Sequence, residues 1–268
     1  MAKQSHDRKR PPVRKRWGQH FLSDPLAVRR IIAAVNPQPE DKFLEVGPGH
    51  GELTLPLAAA STAVIAVDID PLLIAALEEE LPGHVQLLQG DILKADLPAL
   101  LPAGVRVVGS LPFNISSQIL MRLLEHRERW RDGHFILQKE MADRLVAPPG
   151  NRTYGRLSVM AQAFAAATRL LDLPPTVFSP RPKVSSTLVR LVPRPTDPPL
   201  EDPKLFAAVV RAAFGQRRKK LSNALKALGA GPELAQAGLE NLRAEHVAVI
   251  DYIRLSNALS SKGGIDLP

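Results

Sequence analysis

The stretch KFLEVGPGHGELTLPLAAA, Lys42 to Ala60, decides the fold. An apolar, strand-like run ends in a glycine-rich loop, and a segment with helical character follows the loop at once. The glycines Gly47, Gly49 and Gly51 allow a tight turn and let a ligand approach the backbone closely. A strand, a glycine loop and a helix in this order are typical of an α/β fold that binds ligands at the carboxyl ends of its strands.

The same alternation of strand and helix continues downstream. The runs TAVIAVDID, HVQLLQGDI, VRVVGSLPF and HFILQKE are nearly continuous in apolar residues, and helical segments separate most of them. Such runs indicate parallel strands buried on both faces. We therefore predict a doubly wound, mostly parallel α/β sheet. YGRLSVMAQAFAAAT is predicted as a helix, followed by two late strands in TRLLDLPPTVF and SSTLVRLVP.

The strand pattern stops at the proline-rich segment PRPTDPPLEDP, Pro193 to Pro203. Only helical periods follow, including RRKKLSNALKAL, so this segment is predicted to link two domains. We expect three parts in the chain: a basic, flexible tail over residues 1–16, an α/β domain over 17–195, and a small helical domain over 196–268.

Composition narrows the class of protein. The 268 residues include no cysteine, which excludes disulfides, thiolate metal sites and cysteine nucleophiles. The seven histidines lack metal-ligand spacing, so no metal is expected. No apolar run is long enough to span a bilayer, and the basic N-terminus lacks the apolar core of a signal peptide. These features predict a cytoplasmic protein that does not enter a membrane.

Positive charge is concentrated in two places. Lys and Arg outnumber Asp and Glu by 35 to 27, and residues 1–16 alone hold seven Lys or Arg against one Asp. A second basic run, RRKK, spans Arg217 to Lys220. A basic balance favours a polyanionic partner, but taken alone such runs are more often a solvated tail or helix face, so charge alone leaves the partner open.

Carboxylates follow the predicted second and third strands. Asp68 ends the second strand about twenty residues after Gly47, the spacing at which a carboxylate holds ribose hydroxyls. Asp91 follows Gly90 at the end of the third strand, where it could accept from an adenine amino group. Each has a structural alternative: Asp68 and Asp70 suit turns or helix N-termini, and Asp91 suits a helix N-cap.

The stretch GSLPFNIS, Gly109 to Ser116, ends the fourth predicted strand. Pro112 stops the hydrogen-bonded ladder and restricts the backbone of Leu111 to extended geometry. A strand-ending turn with a buried Phe113 and a binding pocket are both compatible with this pattern. Asn114 is predicted to cap the helix that follows.

Taken together, EVGPGHG, VDID, GD and SLPFNIS resemble the motifs of class I S-adenosylmethionine-dependent methyltransferases that act on exocyclic amines. GQHFL (residues 18–22), VFSPRPKVSS (177–186) and FGQRRKKLSNAL (214–225) extend the resemblance to the ribosomal RNA adenine dimethyltransferase family. The resemblance covers roughly residues 15 to 260. It implies a Rossmann-like, seven-stranded, mostly parallel sheet with a small all-helical C-terminal domain.

The resemblance also implies roles for single residues. S-adenosyl-L-methionine would be the cofactor, touched by His20 and Leu22 and approached by the loop of Gly47 and Gly49. Asp68 would hold its ribose, and Asp91 with the backbone of Ile92 would meet its adenine. The target base would lie among Ser110, Leu111, Pro112 and Phe113 under a cover formed by Phe178, with Ser110 bordering the cofactor as well.

The implied substrate is small-subunit rRNA, dimethylated at N6 of two adjacent adenines near its 3′ end in an immature 30S subunit. The protein would act as a monomer. Arg217, Arg218, Lys219 and Lys220 would grip the rRNA backbone, assisted by the tail from Lys3 to Arg16.

One departure keeps alternatives open. Ser110 stands where the family pattern N-L-P-Y/F has Asn, which leaves room for a catalytically idle RNA-binding assembly factor. A large-subunit rRNA adenine methyltransferase is a second alternative within the family. A nicotinamide-dependent oxidoreductase is disfavoured by the glycine spacing and by the Pro–Phe pair.

Overall fold

The computed structural model describes residues 11, 14 and 18–261. Apart from Pro11 and Arg14, the basic tail predicted over 1–16 lies outside the described residues. Residues 262–268 of the predicted helical domain lie outside them as well.

Seven strands form one mixed sheet at the centre of the molecule. Their order is β4-β3-β2-β5-β6-β9-β7; the neighbours from β4 to β6 run parallel, and β9 is antiparallel to both β6 and β7. Two short strands, β1 and β8, pair with each other outside this sheet. The strands are β1 (Phe21–Leu22), β2 (Lys42–Val46), β3 (Ala63–Asp68), β4 (Val85–Gln89), β5 (Val105–Ser110), β6 (Trp130–Gln138), β7 (Ala165–Leu173), β8 (Phe178–Ser179) and β9 (Ser186–Pro193).

Helices connect the strands and make up the regular structure after Pro193 in the described part of the chain. They are α1 (Pro25–Val35), α2 (Thr54–Ala60), α3 (Pro71–Glu78), α4 (Leu97–Leu100), α5 (Ser116–Glu125), α6 (Lys139–Val146), α7 (Arg156–Phe164), α8 (Pro203–Gly215), α9 (Leu221–Ala224), α10 (Gly231–Gln236) and α11 (Val249–Ser260). The predicted fold class, a mostly parallel seven-stranded sheet with helices, is confirmed.

Two local predictions were wrong. The alanine-rich segment after Phe164 was predicted as helix, yet Ala165, Ala166 and Ala167 begin β7 and pair with β9, because sheet pairing outweighs the helix propensity of alanine. The basic run Arg217 to Lys220 was predicted within a helix, but it forms the turn between α8 and α9.

The core crosses the predicted boundary between the two domains. One cluster of buried side chains joins sheet residues such as Leu44 and Val107 to Phe206 of α8 and Tyr252 of α11. The Tyr154 hydroxyl, just before α7, also donates to the Val247 carbonyl at 2.9 Å. The division at residues 195/196 stays a prediction, and in the structure the two sides share apolar packing.

Candidate active site

A cleft opens where the parallel strands β2 to β5 end. Its empty space, including the mouth open to solvent, is about 1040 Å³. The structure brings every residue predicted for the cofactor and the target base to its walls, although their individual roles stay predictions. These residues are His20, Leu22, Gly47, Gly49, Asp68, Asp91, Ile92, Ser110, Leu111, Pro112, Phe113 and Phe178.

The glycine loop curls against the end of β5. Gly47 and Gly49 adopt φ values of +74° and +62°, a region that side chains disfavour. The Gly47 N–H donates to the Val67 carbonyl at 2.9 Å. A Cβ on Gly47 would lie 3.5 Å from the Ser110 carbonyl oxygen, and one on Gly49 would lie 2.9 Å from the Phe21 ring. Both positions therefore need glycine for the turn, and Gly49 also needs it for the close contact with Phe21.

The cleft has a roof made from distant parts of the chain. Leu22 of β1 pairs with Phe178 of β8, and both side chains are buried. His20 Nδ1 lies 2.7 Å from the Pro180 carbonyl oxygen. Because a carbonyl only accepts, this nitrogen carries the hydrogen. Strands of two residues leave no periodic signal, so only the family resemblance placed these segments together.

Aromatic rings line the side of the cleft nearest α5. The rings of His20 and Phe113 stack with centroids 5.6 Å apart and planes at 27°. Phe113 is half-buried, whereas Phe178 is buried at 5% exposure. A planar ligand can therefore contact a ring that is already oriented and partly exposed.

Asp68 closes β3 inside the cleft. Burial, together with the negative charge of Asp70, raises the pKa of the Asp68 carboxyl from 3.8 to about 6. Its Oδ1 accepts from the Asp70 N–H at 2.8 Å. The structural alternative holds for Asp70, which caps α3 by accepting from the Leu72 N–H at 3.0 Å.

Asp70 is also tied to the N-terminal segment. Gln19 Nε2 donates to Asp70 Oδ2 at 3.1 Å, and the Arg14 guanidinium lies 3.7 Å from the same oxygen. These contacts hold in place the N-terminal segment that leads into β1 and the roof.

Asp91 both lines the cleft and stabilises a turn. Its Oδ1 accepts a hydrogen bond from the Leu93 N–H at 2.9 Å.

Sequence reasoning missed Glu45. This residue of β2 lines the cleft at 1% exposure, and its Oε2 has no hydrogen-bond partner among the described residues. Burial, with the charges of Glu52 and Asp68 nearby, raises its pKa from 4.5 to about 8. The sequence itself could have indicated Glu45, because a glutamate inside an apolar strand directly before a glycine loop is unusual, and charged residues are seldom buried without a partner.

The residues present fit S-adenosylmethionine. The ligand carries a sulfonium and an ammonium group, which suit a wall with the buried carboxyl of Glu45, whose Oε2 has no hydrogen-bond partner among the described residues. Its ribose hydroxyls are donors, which suit the ionised carboxylate of Asp68. Close backbone approach is available at Gly47.

The end of β5 presents two free acceptors. Neither the Ser110 hydroxyl nor the Leu111 carbonyl has a protein hydrogen-bond partner among the described residues, whereas the Pro112 carbonyl accepts from the Ile115 N–H at 3.2 Å. The pocket interpretation of this stretch is therefore the better one. The predicted cap by Asn114 was wrong, because α5 has Ile115 at its N-cap without a side-chain cap bond.

A guanidinium from α5 holds the loop on the Asp91 side. Arg122 donates to the carbonyls of Leu93 and Ala95, just after Asp91 and Ile92. Helix α5, which starts beside the predicted base pocket, is thereby tied to the loop predicted to meet the adenine of the cofactor.

The basic run Arg217 to Lys220 lies outside this cleft, and all four residues are exposed. Arg217 donates to Glu245 at 2.7 Å and to the Arg152 carbonyl at 2.8 Å. Lys220 Nζ donates to Asn241 at 2.9 Å. The side chains of Arg218 and Lys219 have no partner among the described residues.

The described part of the chain has neither a metal site nor a membrane-spanning helix. Across residues 18–261 and the two isolated ones, no group of His, Asp or Glu is arranged to hold a metal ion. Within the same part of the chain, no helix has the length and apolar character required to cross a membrane.

Comparison with known proteins gives consistent matches. A family model described as ribosomal RNA adenine dimethylase matches residues 11–261. The chain is 46% identical over 254 residues to ribosomal RNA small subunit methyltransferase A of Xylella fastidiosa (strain Temecula1), covering 92% of this chain and 96% of that protein. It is 44% identical over 251 residues to the protein of the same name from Methylococcus capsulatus, covering 92% and 98%.

Solved structures agree on the fold. The 23S rRNA methyltransferase ErmE superposes with a TM-score of 0.66 at 27% identity, covering 90% of this chain and 99% of that one. A dimethyladenosine transferase from Plasmodium falciparum gives a TM-score of 0.81 at 24% identity, covering 91% and 98%, and supports the fold alone. From the match of the family model and the identity of the relatives, we conclude that this chain belongs to the ribosomal RNA adenine dimethylase family.

Proposed function

We propose that this protein transfers methyl groups from S-adenosyl-L-methionine to N6 of two adjacent adenines near the 3′ end of small-subunit rRNA. Its substrate would be an immature 30S subunit in the cytoplasm, and it would act as a monomer. The observation that carries the proposal is a single cleft with two chemically different halves. One half has buried acids, Glu45 and Asp68, and the other has free acceptors beside an aromatic ring.

The free acceptors suit an exocyclic amine. The N6 lone pair of adenine is delocalised into the ring, so the amine is a poor nucleophile until it is oriented. The Ser110 hydroxyl and the Leu111 carbonyl can each accept one N6 hydrogen, and Pro112 restricts the backbone that directs the carbonyl. Holding the amine in this way lowers the activation barrier, because the amine is already oriented for attack.

The aromatic side chains suit an extruded base. Phe113 is half-buried and lines the cleft, and stacking of a base on such a ring contributes about 1–3 kcal/mol. Phe178 lines the same cleft and can cover the base. A base must leave its helix to reach such a pocket, and an unpaired adenine does so at the smallest cost.

When bound, S-adenosylmethionine supplies an electrophilic methyl group on its sulfonium. The proposal gives the chain itself no strong general base, because the attacking N6 gains positive charge as the S–CH₃ bond breaks and can then release its proton to water. The residues act by binding the cofactor, orienting the amine and excluding water. The buried roof of Leu22 and Phe178 excludes water.

The test is transfer of labelled methyl groups to purified immature small subunits, followed by mapping of the modified adenines. We expect two adjacent dimethylated adenines near the 3′ end. The same assay is run on large-subunit rRNA, and label there instead would favour the alternative that ErmE exemplifies. Tight binding of subunits without transfer would favour the idle assembly factor. Phe113→Leu is a matched variant, expected to lose transfer while retaining cofactor binding.

A further inference from the structure

The roof segment, Gln19 to Leu22, touches several walls of the cleft at once. All four of its residues line the cleft, and each contacts a different part of the chain. The contacted residues are, in the order of the segment, Asp70, Phe113, His50 and Phe178. The segment therefore joins the half of the cleft predicted for the cofactor to the half predicted for the target base.

Gln19 anchors this segment to a buried carboxylate. Its Nε2 donates to Asp70 Oδ2 at 3.1 Å, and its Oε1 accepts from the Arg14 N–H at 2.7 Å. Asp70 is 1% exposed, so the bond is shielded from water. A hydrogen bond to a charged acceptor is stronger than one between neutral groups. Both ends of the Gln19 amide are thus engaged by the protein itself.

Asp70 is fixed on the cofactor side of the cleft. Its Oδ1 caps α3 by accepting from the Leu72 N–H at 3.0 Å. Its own N–H donates to Asp68 Oδ1 at 2.8 Å, so it also orients the carboxyl predicted to hold the ribose. Because the cap ties Asp70 to α3, the bond from Gln19 connects the roof segment to a regular element of the fold.

The ring of His20, the residue after Gln19, reaches the base side of the cleft. Its Nδ1 donates to the Pro180 carbonyl at 2.7 Å, and its ring stacks on Phe113 with centroids 5.6 Å apart. Phe113 is the ring on which the target adenine would stack. Adjacent Cα atoms are about 3.8 Å apart, so a displacement of Gln19 moves His20 as well. The setting of the Phe113 ring therefore depends on the anchor at Gln19.

We propose that Gln19 is a positioning residue for methyl transfer: by bonding to Asp70, it holds the His20 ring against Phe113 and so orients the ring that receives the adenine. The inference rests on the proposed function and deepens it. Gln19 acts through His20 and does not touch the reacting atoms. Misplacement of a substrate by about 1 Å slows a reaction about 100-fold, so the bond affects the rate of transfer more than the affinity for the cofactor.

The test exchanges the two bonded groups. Gln19→Glu places two carboxylates in contact and should slow single-turnover transfer about 10- to 100-fold at saturating cofactor. Asp70→Asn alone removes the charged acceptor and should slow transfer less. In the combined variant, the amide introduced at position 70 donates to the carboxylate introduced at position 19, so the rate should recover toward the wild-type value. Losses that simply multiply in the combined variant would overturn the inference, because independent residues give additive free energies.

A second readout separates positioning from cofactor contact. Gln19→Ala introduces no charge, and it should slow transfer while its dissociation constant for S-adenosylmethionine stays within about threefold of wild type. Weaker cofactor binding with wild-type transfer at saturating cofactor would make Gln19 a cofactor contact and would overturn the inference. Gln86→Glu is the matched control. Gln86 is exposed on β4 and does not line the cleft, so this variant should keep the wild-type rate and affinity.

A third readout needs no substrate. Fluorine NMR of the full-length protein labelled with fluorinated phenylalanine reports the surroundings of Phe113, whose signal is assigned by its loss in Phe113→Leu. The signal should shift in Gln19→Glu, return in the exchanged pair, and stay in place in Gln86→Glu. A Phe113 signal that does not respond to Gln19→Glu would overturn the inference. Failure of the wild-type protein to transfer methyl groups would instead count against the proposed function, since the fluorine signal does not depend on transfer.

Discussion

Buried carboxyl groups at the two edges of the central sheet have pKa values shifted in opposite directions. At the amino edge, Asp41 precedes β2 and Asp132 lies early in β6, and both are nearly inaccessible to solvent. At the carboxyl edge, Glu45 and Asp68 are buried to a similar degree. Burial acts to raise the pKa at all four positions, yet the result differs between the edges.

Arg106 makes the difference. Its guanidinium donates to Asp132 and Asp41 at 2.7 Å each and to the Val35 carbonyl at the end of α1. Arg131 and Arg190 add further bonds from the surface. At Asp41 the Gln38 N–H also donates to the carboxylate, at 2.9 Å. At Asp41 and Asp132 the hydrogen bonds and the arginine charges together outweigh burial, so the pKa of each is lowered.

No cation of the described chain plays this part at Glu45 or Asp68, and the pKa of each is raised. A buried carboxyl that the fold leaves without a cation destabilises the protein unless a ligand compensates it. The comparison therefore separates carboxyl groups with a structural role from those with a functional one. At the amino edge, arginines of the chain neutralise the buried carboxyl groups. At the carboxyl edge, the buried carboxyl groups have no such partner among the described residues and are available to a ligand.

The largest effect is expected from breaking the neutralised edge. Arg106→Met leaves Asp41 and Asp132 buried without their shared partner, which costs about 3–5 kcal/mol of unfolding free energy. Urea denaturation at pH 7 measures the loss. Arg131→Met, at a half-exposed position, is the control and should cost far less. Equal losses for the two variants would mean that burial of the pair does not matter.

The second prediction is a gain in stability, from removing the buried carboxyl of Glu45. The folded protein holds a proton on Glu45 up to about pH 8, whereas the unfolded chain releases it near 4.5. Stability of the cofactor-free protein should therefore fall as pH rises between these values. Glu45→Gln removes this dependence and should stabilise the cofactor-free protein at pH 9 by about 1–3 kcal/mol.

Thermal unfolding of the Glu45→Gln protein from pH 5 to pH 9 measures this gain. The exposed Glu40→Gln is the matched control and should leave the profile unchanged. The same Glu45→Gln variant should bind S-adenosylmethionine more weakly, so stability and affinity would move in opposite directions. A variant that is less stable than wild type at pH 9 would contradict the comparison between the edges.

A smaller effect concerns the cofactor itself. Asp68 has a pKa of about 6, and ribose hydroxyls donate to its ionised form. Affinity for S-adenosylmethionine should therefore fall as pH drops below 6, approaching about tenfold per pH unit. Calorimetric titration between pH 4.5 and pH 8 measures it. The step near pH 6 should be absent in Asp68→Asn, and its persistence there would assign the titration to another group.

These two edges also show what a sequence can and cannot predict. The glycine loop, Asp68 and the Pro112 turn were predictable, because each ends a strand, and the carboxyl ends of parallel strands meet at one edge. The neutralised edge was not, since Arg106 meets Asp41 and Asp132 across 65 and 26 residues of chain. Pairings of that kind depend on strand order, which no local pattern encodes.

The same limit explains the errors and omissions at the site. The alanines at the start of β7 favour a helix locally, and only their pairing with β9 makes them a strand. The roof of β1 and β8 depends on two-residue strands, which leave no period to detect. Glu45 was visible as an acid in an apolar strand, but its burial next to Asp68 required the fold.

The smallest effect tests the acceptor that departs from the family pattern. At the carboxyl edge the Ser110 hydroxyl has no hydrogen-bond partner in the described part of the chain, so it is free to accept from the substrate amine. Ser110→Ala removes one hydrogen bond of about 0.5–1.5 kcal/mol and should slow methyl transfer about 2- to 10-fold at saturating cofactor. Ser110→Asn restores an acceptor with a longer reach, and it should transfer methyl groups at least as fast as wild type. Single-turnover transfer to immature small subunits measures both. Wild-type rates in Ser110→Ala would show that the Leu111 carbonyl and the Phe113 ring position the amine without the hydroxyl.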